Sequence, residues 1–398
     1  MTQDRLVQPS PLHRNDVFYP LCGALALTAI LLRGFGLPFV SHDMHHDLLN
    51  WFDYIIRHGR IGALADAFYN YTPPYIYLMS TVSLFDGMVS RVILIKSISL
   101  LFDGVSAYIV YKIVLAARAD GRVALLCALL FLNLPTLILN GAVWGQFDVV
   151  YAAFILGFAY QMMLNRPYLA VTMYAFAFTI KLQAIFLAPF LVYLTLAGEI
   201  PFVAAFIVPG VYILLMIPAA LAGRSWGDLM TLYAGQVGFM HALSAHAPNI
   251  YLFFQDSLSE VQKSLATYAA VISAGLASLA IFVVNFLSRP RITPRFVVLS
   301  SVLWLGLEPS LLPRMHERYF LPADLMSFVF ACLVPRAWWL AVLFQLGSAL
   351  AYAQFLGSSF EKPLDLKYWD LFGAAAMIAA MAGVIAYYLP LARRQNSI

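Results

Sequence analysis

The tract Leu312-Pro313-Arg314-Met315-His316-Glu317-Arg318-Tyr319-Phe320-Leu321-Pro322 sets two guanidinium groups, an imidazole and a carboxylate between two apolar runs. A charge near a bilayer centre costs roughly 2.5–3.5 kcal/mol on an insertion scale, so the cluster points to a cavity that uses it. Guanidinium groups match phosphate oxygens in pairs, which makes Arg314 and Arg318 candidates for holding an anion, with His316 beside them. Glu317 has a simpler role open to it, the orientation of one arginine. A second group lies far upstream, in Ser41-His42-Asp43-Met44-His45-His46-Asp47. Asp43 is a candidate general base. The alternative is a helix cap, because an acid at that place also suits the helix dipole. His42, His45 and His46 share one helix face and, with Asp43 or Asp47, have spacing that suits a metal. Hydrogen bonding or contact with an acceptor is the preferred reading for these histidines, and no metal is expected.

Further polar residues interrupt apolar sequence elsewhere. Lys181 and Gln183 do so within 168–197, and a lysine there should seek an anion, a protein carboxylate or a ligand phosphate. In Asn140-Gly141-Ala142-Val143-Trp144-Gly145-Gln146-Phe147-Asp148 the glycines permit a tight turn. Trp144 offers a flat face to a sugar ring, and Gln146 and Asp148 offer partners to hydroxyls. A plain helix–helix turn is the alternative. Tyr71 precedes Pro73-Pro74, a rigid start to the next helix, and is placed to line a sugar site. His246 and Asn249, in the Gly-, Pro- and Asn-containing stretch 236–251, are candidate substrate contacts. Lys96 and Asp103, seven residues apart on one helix face, are expected to form a structural ion-pair network inside the bundle.

The elements that must position these residues follow from composition. Of 398 residues, 62% are hydrophobic and only 11% charged, with a mean hydropathy of +0.80. No soluble domain of this length buries so much apolar side chain, so the chain is expected to be a polytopic helical membrane protein, all-α, in one integral domain. The net charge of +4 is dispersed, which gives no reason to expect nucleic acid. Cys22, Cys127 and Cys332 sit in apolar runs without metal-type spacing and read as buried thiols. Residues 1–16 form a polar tail, and the apolar run after them lacks a cleavage signal and reads as an anchor.

Apolar runs of span length lie near 17–37, 91–115, 121–139, 148–164, 201–222, 264–287, 296–312, 317–334, 337–355 and 368–391. The stretch 168–197 reads as two short helices meeting at Lys181 and Gln183, and 73–89 as a short span or half-helix. Together they give about 12 spans. Placing Arg5, Arg14, Arg118, Arg122, Arg289, Arg291, Arg295, Arg336, Arg393 and Arg394 on the cytoplasmic side leaves 38–72, 140–147, 181–183, 223–262 and 313–316 outside. Nearly all the unusual polar residues fall in those outer stretches. From Leu48 to Ile56 the apolar residues recur at helical spacing with Trp51 and Tyr54 among them, the pattern of a helix lying at the membrane surface.

The ordered series Asp43, Tyr71-Thr72-Pro73-Pro74-Tyr75, Trp144-Gly145-Gln146-Phe147-Asp148, Lys181-Leu182-Gln183, Ala247-Pro248-Asn249-Ile250-Tyr251 and Met315-His316-Glu317-Arg318-Tyr319-Phe320 resembles the GT-C superfamily of membrane glycosyltransferases. Within it, the resemblance is to bacterial mannosyltransferases related to the second GPI mannosyltransferase, over about 41–324. It implies a GT-C fold and transfer of a hexose, mannose by family weighting, from a polyprenyl-phosphate-linked donor. The acceptor would be a lipid-linked glycan or polysaccharide, reached at the outer face of a bacterial inner membrane. The family's catalytic acid lies in the first outer loop, where Asp43 matches it and Asp47 is the reserve. Arg314, Arg318, Lys181 and His316 would then meet the donor phosphate, and Tyr71, Trp144, Gln146, Asp148, Gln183, His246, Asn249 and Glu317 the sugar or acceptor. Two other readings compete: a transporter or flippase for a lipid-linked glycan, and a metal-dependent oligosaccharide transferase. The first is disfavoured because no internal repeat is visible and the polar residues fall at span ends.

Overall fold

Long apolar runs leave the backbone no polar partner but itself, and the chain resolves this with helices nearly throughout. The computed structural model describes residues 14–236, 242–359 and 368–393. Of the features singled out above, most of the N-terminal tail with Arg5, the segment 237–239 and Arg394 lie outside the described residues.

The helices in chain order are α1 (Asn15–Gly36), α2 (Leu49–His58), α3 (Pro73–Val82), α4 (Arg91–Arg118), α5 (Gly121–Leu132), α6 (Pro135–Ile138), α7 (Asp148–Met163) and α8 (Pro167–Ile180). They continue with α9 (Ala188–Leu196), α10 (Ile207–Ala222), α11 (Trp226–Gln236), α12 (Glu260–Ser288), α13 (Pro294–Leu311), α14 (Leu321–Leu333), α15 (Trp338–Gly357) and α16 (Trp369–Arg393). Among the described residues, six are long and apolar enough to cross a bilayer, or seven if the pair 121–132 and 135–144, bent by 50°, counts as one span. Two of the expected spans are broken or shortened by irregular turns. The segment 317–334 opens on a 3-10 turn, Glu317–Phe320, before α14 begins. Likewise α8 stops at Ile180, Lys181 is extended, and a 3-10 turn over Leu182–Leu187 leads into α9. One non-helical feature joins distant loops: β1 (Ser244–Ala245) pairs in parallel with β2 (Met315–His316).

Buried charges fix the bundle at one end. Asp103 pairs with Arg33 at 2.8 Å, and Arg33 also donates to the Leu132 carbonyl at 2.7 Å, which ties α1, α4 and α5 together. The Lys96–Asp103 pair read from spacing does not form. Lys96, wholly buried, instead points its ammonium at the carbonyls of Gly36, Leu37, Phe39 and Val143, 2.7–3.2 Å away. These include the C-terminal end of α1, where the helix dipole also favours a cation.

Small residues let helices approach closely where no charge operates. A Cβ added at Gly373 would sit 2.7 Å from the Gly347 carbonyl oxygen, because α15 and α16 touch backbone to backbone there. Gly373→Ala is therefore expected to lower stability by about 1–3 kcal/mol, read from thermal unfolding in detergent. Gly210→Ala, where nothing lies within 4 Å, should stay within about 0.5 kcal/mol of wild type.

Candidate functional site

Two π-helical turns build the centre of the site. The first, Met44–Leu48, follows Asp43 and runs into α2. Met44, Leu48, Trp51, Phe52 and Ile55 face the core, so the opposite side of this helix carries the acids and histidines. The second, Leu139–Trp144, ends at Gly145 with φ of 87°. Only glycine fits here, because the left-handed backbone disfavours a Cβ and Met44 would collide with one. Such turns add a residue to the helical register and recur at functional sites. Here they bring Asp43 against Trp144 and Gln146.

Asp43 does not cap its helix. Its Oδ2 accepts hydrogen bonds from Trp144 Nε1 at 3.1 Å, Gln146 Nε2 at 2.6 Å and Arg318 Nη1 at 3.0 Å. Arg318 lies 275 positions away in sequence. All these donors meet one oxygen, and among the described residues Oδ1 takes part in no hydrogen bond. The carboxylate is thus held in orientation with one oxygen free. Asp47 differs. It is exposed and makes no hydrogen bond among the described residues, and desolvation followed by the Asp43 charge raises its pKa above the usual carboxylate value.

Asp43 borders a cavity of about 750 Å³. Asn70, Gln146, Lys181, Tyr233 and Arg314 border it as well, so each of the outer stretches read from the charge pattern contributes to one space. The polar wall also includes Asp47, Tyr71, Gln183, His316, Glu317 and Arg318. The apolar wall includes Leu182, Ile185, Phe186, Leu232 and Val271. Ile185 and Val271 are 45% and 51% exposed, which marks the cavity's outlet between the 182–187 turn and α12. Four buried polar atoms on the wall lack a hydrogen-bond partner among the described residues: Gln183 Oε1, Arg314 Nε, Glu317 Oε1 and Arg318 Nε. Buried polar groups are nearly always paired; orphaned atoms also occur elsewhere in the bundle, on Tyr75, Asp324 and Gln345 among others, but these four share one open cavity that can offer them a polar ligand. Arg314 forms no ion pair among the described residues, and its backbone is held at φ of 64°, with its N–H donating to the Leu243 carbonyl at 2.7 Å.

Several residues take other roles than those read from sequence. Trp144 is fully buried, stacked on Phe355, and presents no open face; its indole N–H serves Asp43. Asp148 is also buried and pairs with Lys181, while Asn140 donates to its other oxygen at 2.9 Å. Lys181 therefore meets a protein carboxylate, with the rings of Tyr71, Phe147 and Tyr151 5.2–5.8 Å from its ammonium. Asn249 caps a short turn by accepting from the Tyr251 N–H and donating to the Pro309 carbonyl, so it is not free for a substrate. Among the described residues Glu317 makes no hydrogen bond to an arginine; the basic side chain within 4 Å of it is His316, whose Nδ1 lies 3.8 Å away. His42, His45 and His46 are exposed, with the His46 ring tilted against His42 and edge-on to His45, and no group of three or more metal-ligating side chains is found among the described residues. Tyr71 sits 3.5 Å from Gln146 Oε1, and burial keeps its phenol protonated by raising its pKa.

Asp370 was not singled out by the sequence, because a lone acid at a helix start reads as a dipole contact. It accepts from His246 Nδ1 at 2.8 Å. His246, beside β1, does not border the cavity, and it anchors the 242–249 loop to α16. No protein-family profile matches the chain, and no curated protein matches it.

The hydrogen bond to Asp370 raises the His246 pKa, against desolvation, with Glu317 and Asp256 adding to the rise. A raised folded-state value stabilises the fold fully below the unfolded value of about 6.5 and is lost as pH climbs through the folded value. Amide protection in 243–247, corrected for intrinsic exchange, is expected to fall over that window. Asp370→Asn should remove most of the pH dependence.

Proposed function

We propose that the chain is an inverting glycosyltransferase that moves a hexose from a polyprenyl-phosphate donor to an acceptor hydroxyl. By the resemblance, the sugar is mannose, the acceptor a lipid-linked glycan or polysaccharide, and the fold that of the GT-C superfamily with its further spans. The site would face the periplasm from a bacterial inner membrane. The observation that carries this reading is the Asp43 carboxylate, fixed by Arg318, Gln146 and Trp144 at the edge of a cavity that joins an apolar wall to unpartnered cationic groups.

In this mechanism Asp43 Oδ1 takes the proton of the acceptor hydroxyl as that oxygen attacks the anomeric carbon. The bond from that carbon to the phosphate oxygen breaks on the opposite face, and polyprenyl phosphate leaves. A phosphate departs as an anion, so the leaving group needs no acid but does need positive charge. Arg314, without a carboxylate partner, and the unpartnered Nε of Arg318 supply it. Lys181 acts at one remove: neutralised by Asp148, it shapes the wall instead of meeting the phosphate. Gln183 Oε1 and Glu317 Oε1 remain to accept from sugar hydroxyls. The prenyl chain would leave through the opening beside Ile185 and Val271, toward lipid.

The test is sugar transfer by purified protein in detergent, with polyprenyl-phosphate hexoses and a pool of membrane-glycan acceptors. Asp43→Asn should reduce turnover by about 10²–10⁴-fold, the usual contribution of a general base. Asp47→Asn should retain activity, chelator should have no effect, and Arg314→Gln should weaken use of the donor. Wild-type turnover in Asp43→Asn would falsify the assignment of the base, and loss in Asp47→Asn would move it there.

A further inference from the structure

A second cleft, of about 690 Å³, lies at the opposite end of the bundle. The helices that reach the first cavity fix its distance. α13 runs from Pro294, in this cleft, to Leu311, next to the cavity-lining Leu312. Its 18 residues at about 1.5 Å each separate the two by about 27 Å. That is close to the roughly 30 Å hydrocarbon thickness of a bilayer. α14 and α16 repeat the relation: Phe320 and Asp370 lie toward the first site, Leu333 and Leu391 in the second.

The cleft has a sidedness of its own. Arg118, Arg291 and Arg295 line it from three segments, the end of α4, the 289–293 link and the first turn of α13. Among the described residues, no Asp or Glu lines it. Arg118 is anchored by donating to the Cys332 carbonyl at 3.0 Å. Among the described residues, Arg291 and Arg295 have no ion pair and no side-chain hydrogen bond, and both are exposed. The start of α13 adds a positive dipole end to the same space. Below the arginines the wall turns apolar, with Phe296, Leu333 and Leu391.

We infer that this cleft binds the phosphate of an anionic membrane lipid in the leaflet opposite the first cavity, with its acyl chains against the apolar wall. Three guanidinium groups with no carboxylate among the described lining residues suit a phosphate, and their distance of about 27 Å from the first cavity is close to the thickness of a bilayer's hydrocarbon. The apolar floor favours a lipid over a free anion. Nothing in the inference depends on the proposed transfer reaction, only on the chain spanning a bilayer.

The test is binding to purified full-length protein in neutral detergent, read by native mass spectrometry and by Tm. The added probes are phosphatidylglycerol, phosphatidylcholine and inorganic phosphate. Phosphatidylglycerol should be retained and raise Tm, while phosphatidylcholine and inorganic phosphate should do neither. With about fivefold in affinity per surface charge, Arg291→Gln/Arg295→Gln should weaken phosphatidylglycerol binding roughly 30-fold. Arg57→Gln, at the other end of the bundle, should leave it unchanged. If the double variant does not fold, each single variant should still show the fivefold loss. Equal retention of phosphatidylcholine, an equal Tm rise with inorganic phosphate, or undiminished binding in the arginine variants would each overturn the inference.

Discussion

The contact between Asp43 and Arg318 is the constraint on which the upper end of this molecule depends. Both side chains are largely withdrawn from water, at 19% and 13% exposure, so neither charge is stable there alone. Removing one partner of such a pair typically costs about 3–5 kcal/mol because the other is left uncompensated. The pair joins the first loop to a tract near the end of the chain, and Trp144 and Gln146 pull a third segment onto the same oxygen. Each segment reaches that point through an irregular backbone: a π-turn after Asp43, another before Gly145, and a 3-10 turn around Arg318. Regular helices would have presented the same residues on other faces.

The other buried charges are handled so that they do not compete for a ligand. Lys96 is surrounded by carbonyls, Asp103 by Arg33, and Lys181 by Asp148 and three aromatic rings. Each is a structural solution to desolvation. On the wall of one cavity, by contrast, Arg314 Nε and the orphaned atoms of Gln183, Glu317 and Arg318 lie beside Asp43, whose Oδ1 has no partner among the described residues.

α12 shows the same division on the apolar side. Val261, Leu265, Val271, Leu276, Leu279 and Phe286 along it are exposed, and its few buried residues are Ala270, Ala274 and Asn285, the last accepting from the Tyr388 hydroxyl. A helix so bare is stable only in hydrocarbon. It is also the helix beside the cavity's outlet, so the space that holds charged groups opens where lipid would lie.

The sequence by itself determined the helical membrane class, the break at Lys181, the helix after Asp43 and the set of stretches that share a cavity. All of these follow from local rules: apolar run length, proline and glycine positions, and the avoidance of charge in lipid. Partnership was decided by tertiary structure alone. The sequence could require Lys181, Lys96 and Asp148 to find opposite partners but not say which, because hydrogen bonds act over about 3 Å between residues far apart in the chain. That is why Lys181 met Asp148 and not a ligand, why Trp144 became a donor to Asp43 and not a platform, and why Asn249 became a cap. Of Asp43 and Asp47, four residues apart, it is likewise the tertiary structure that shows which one Arg318 reaches, namely Asp43.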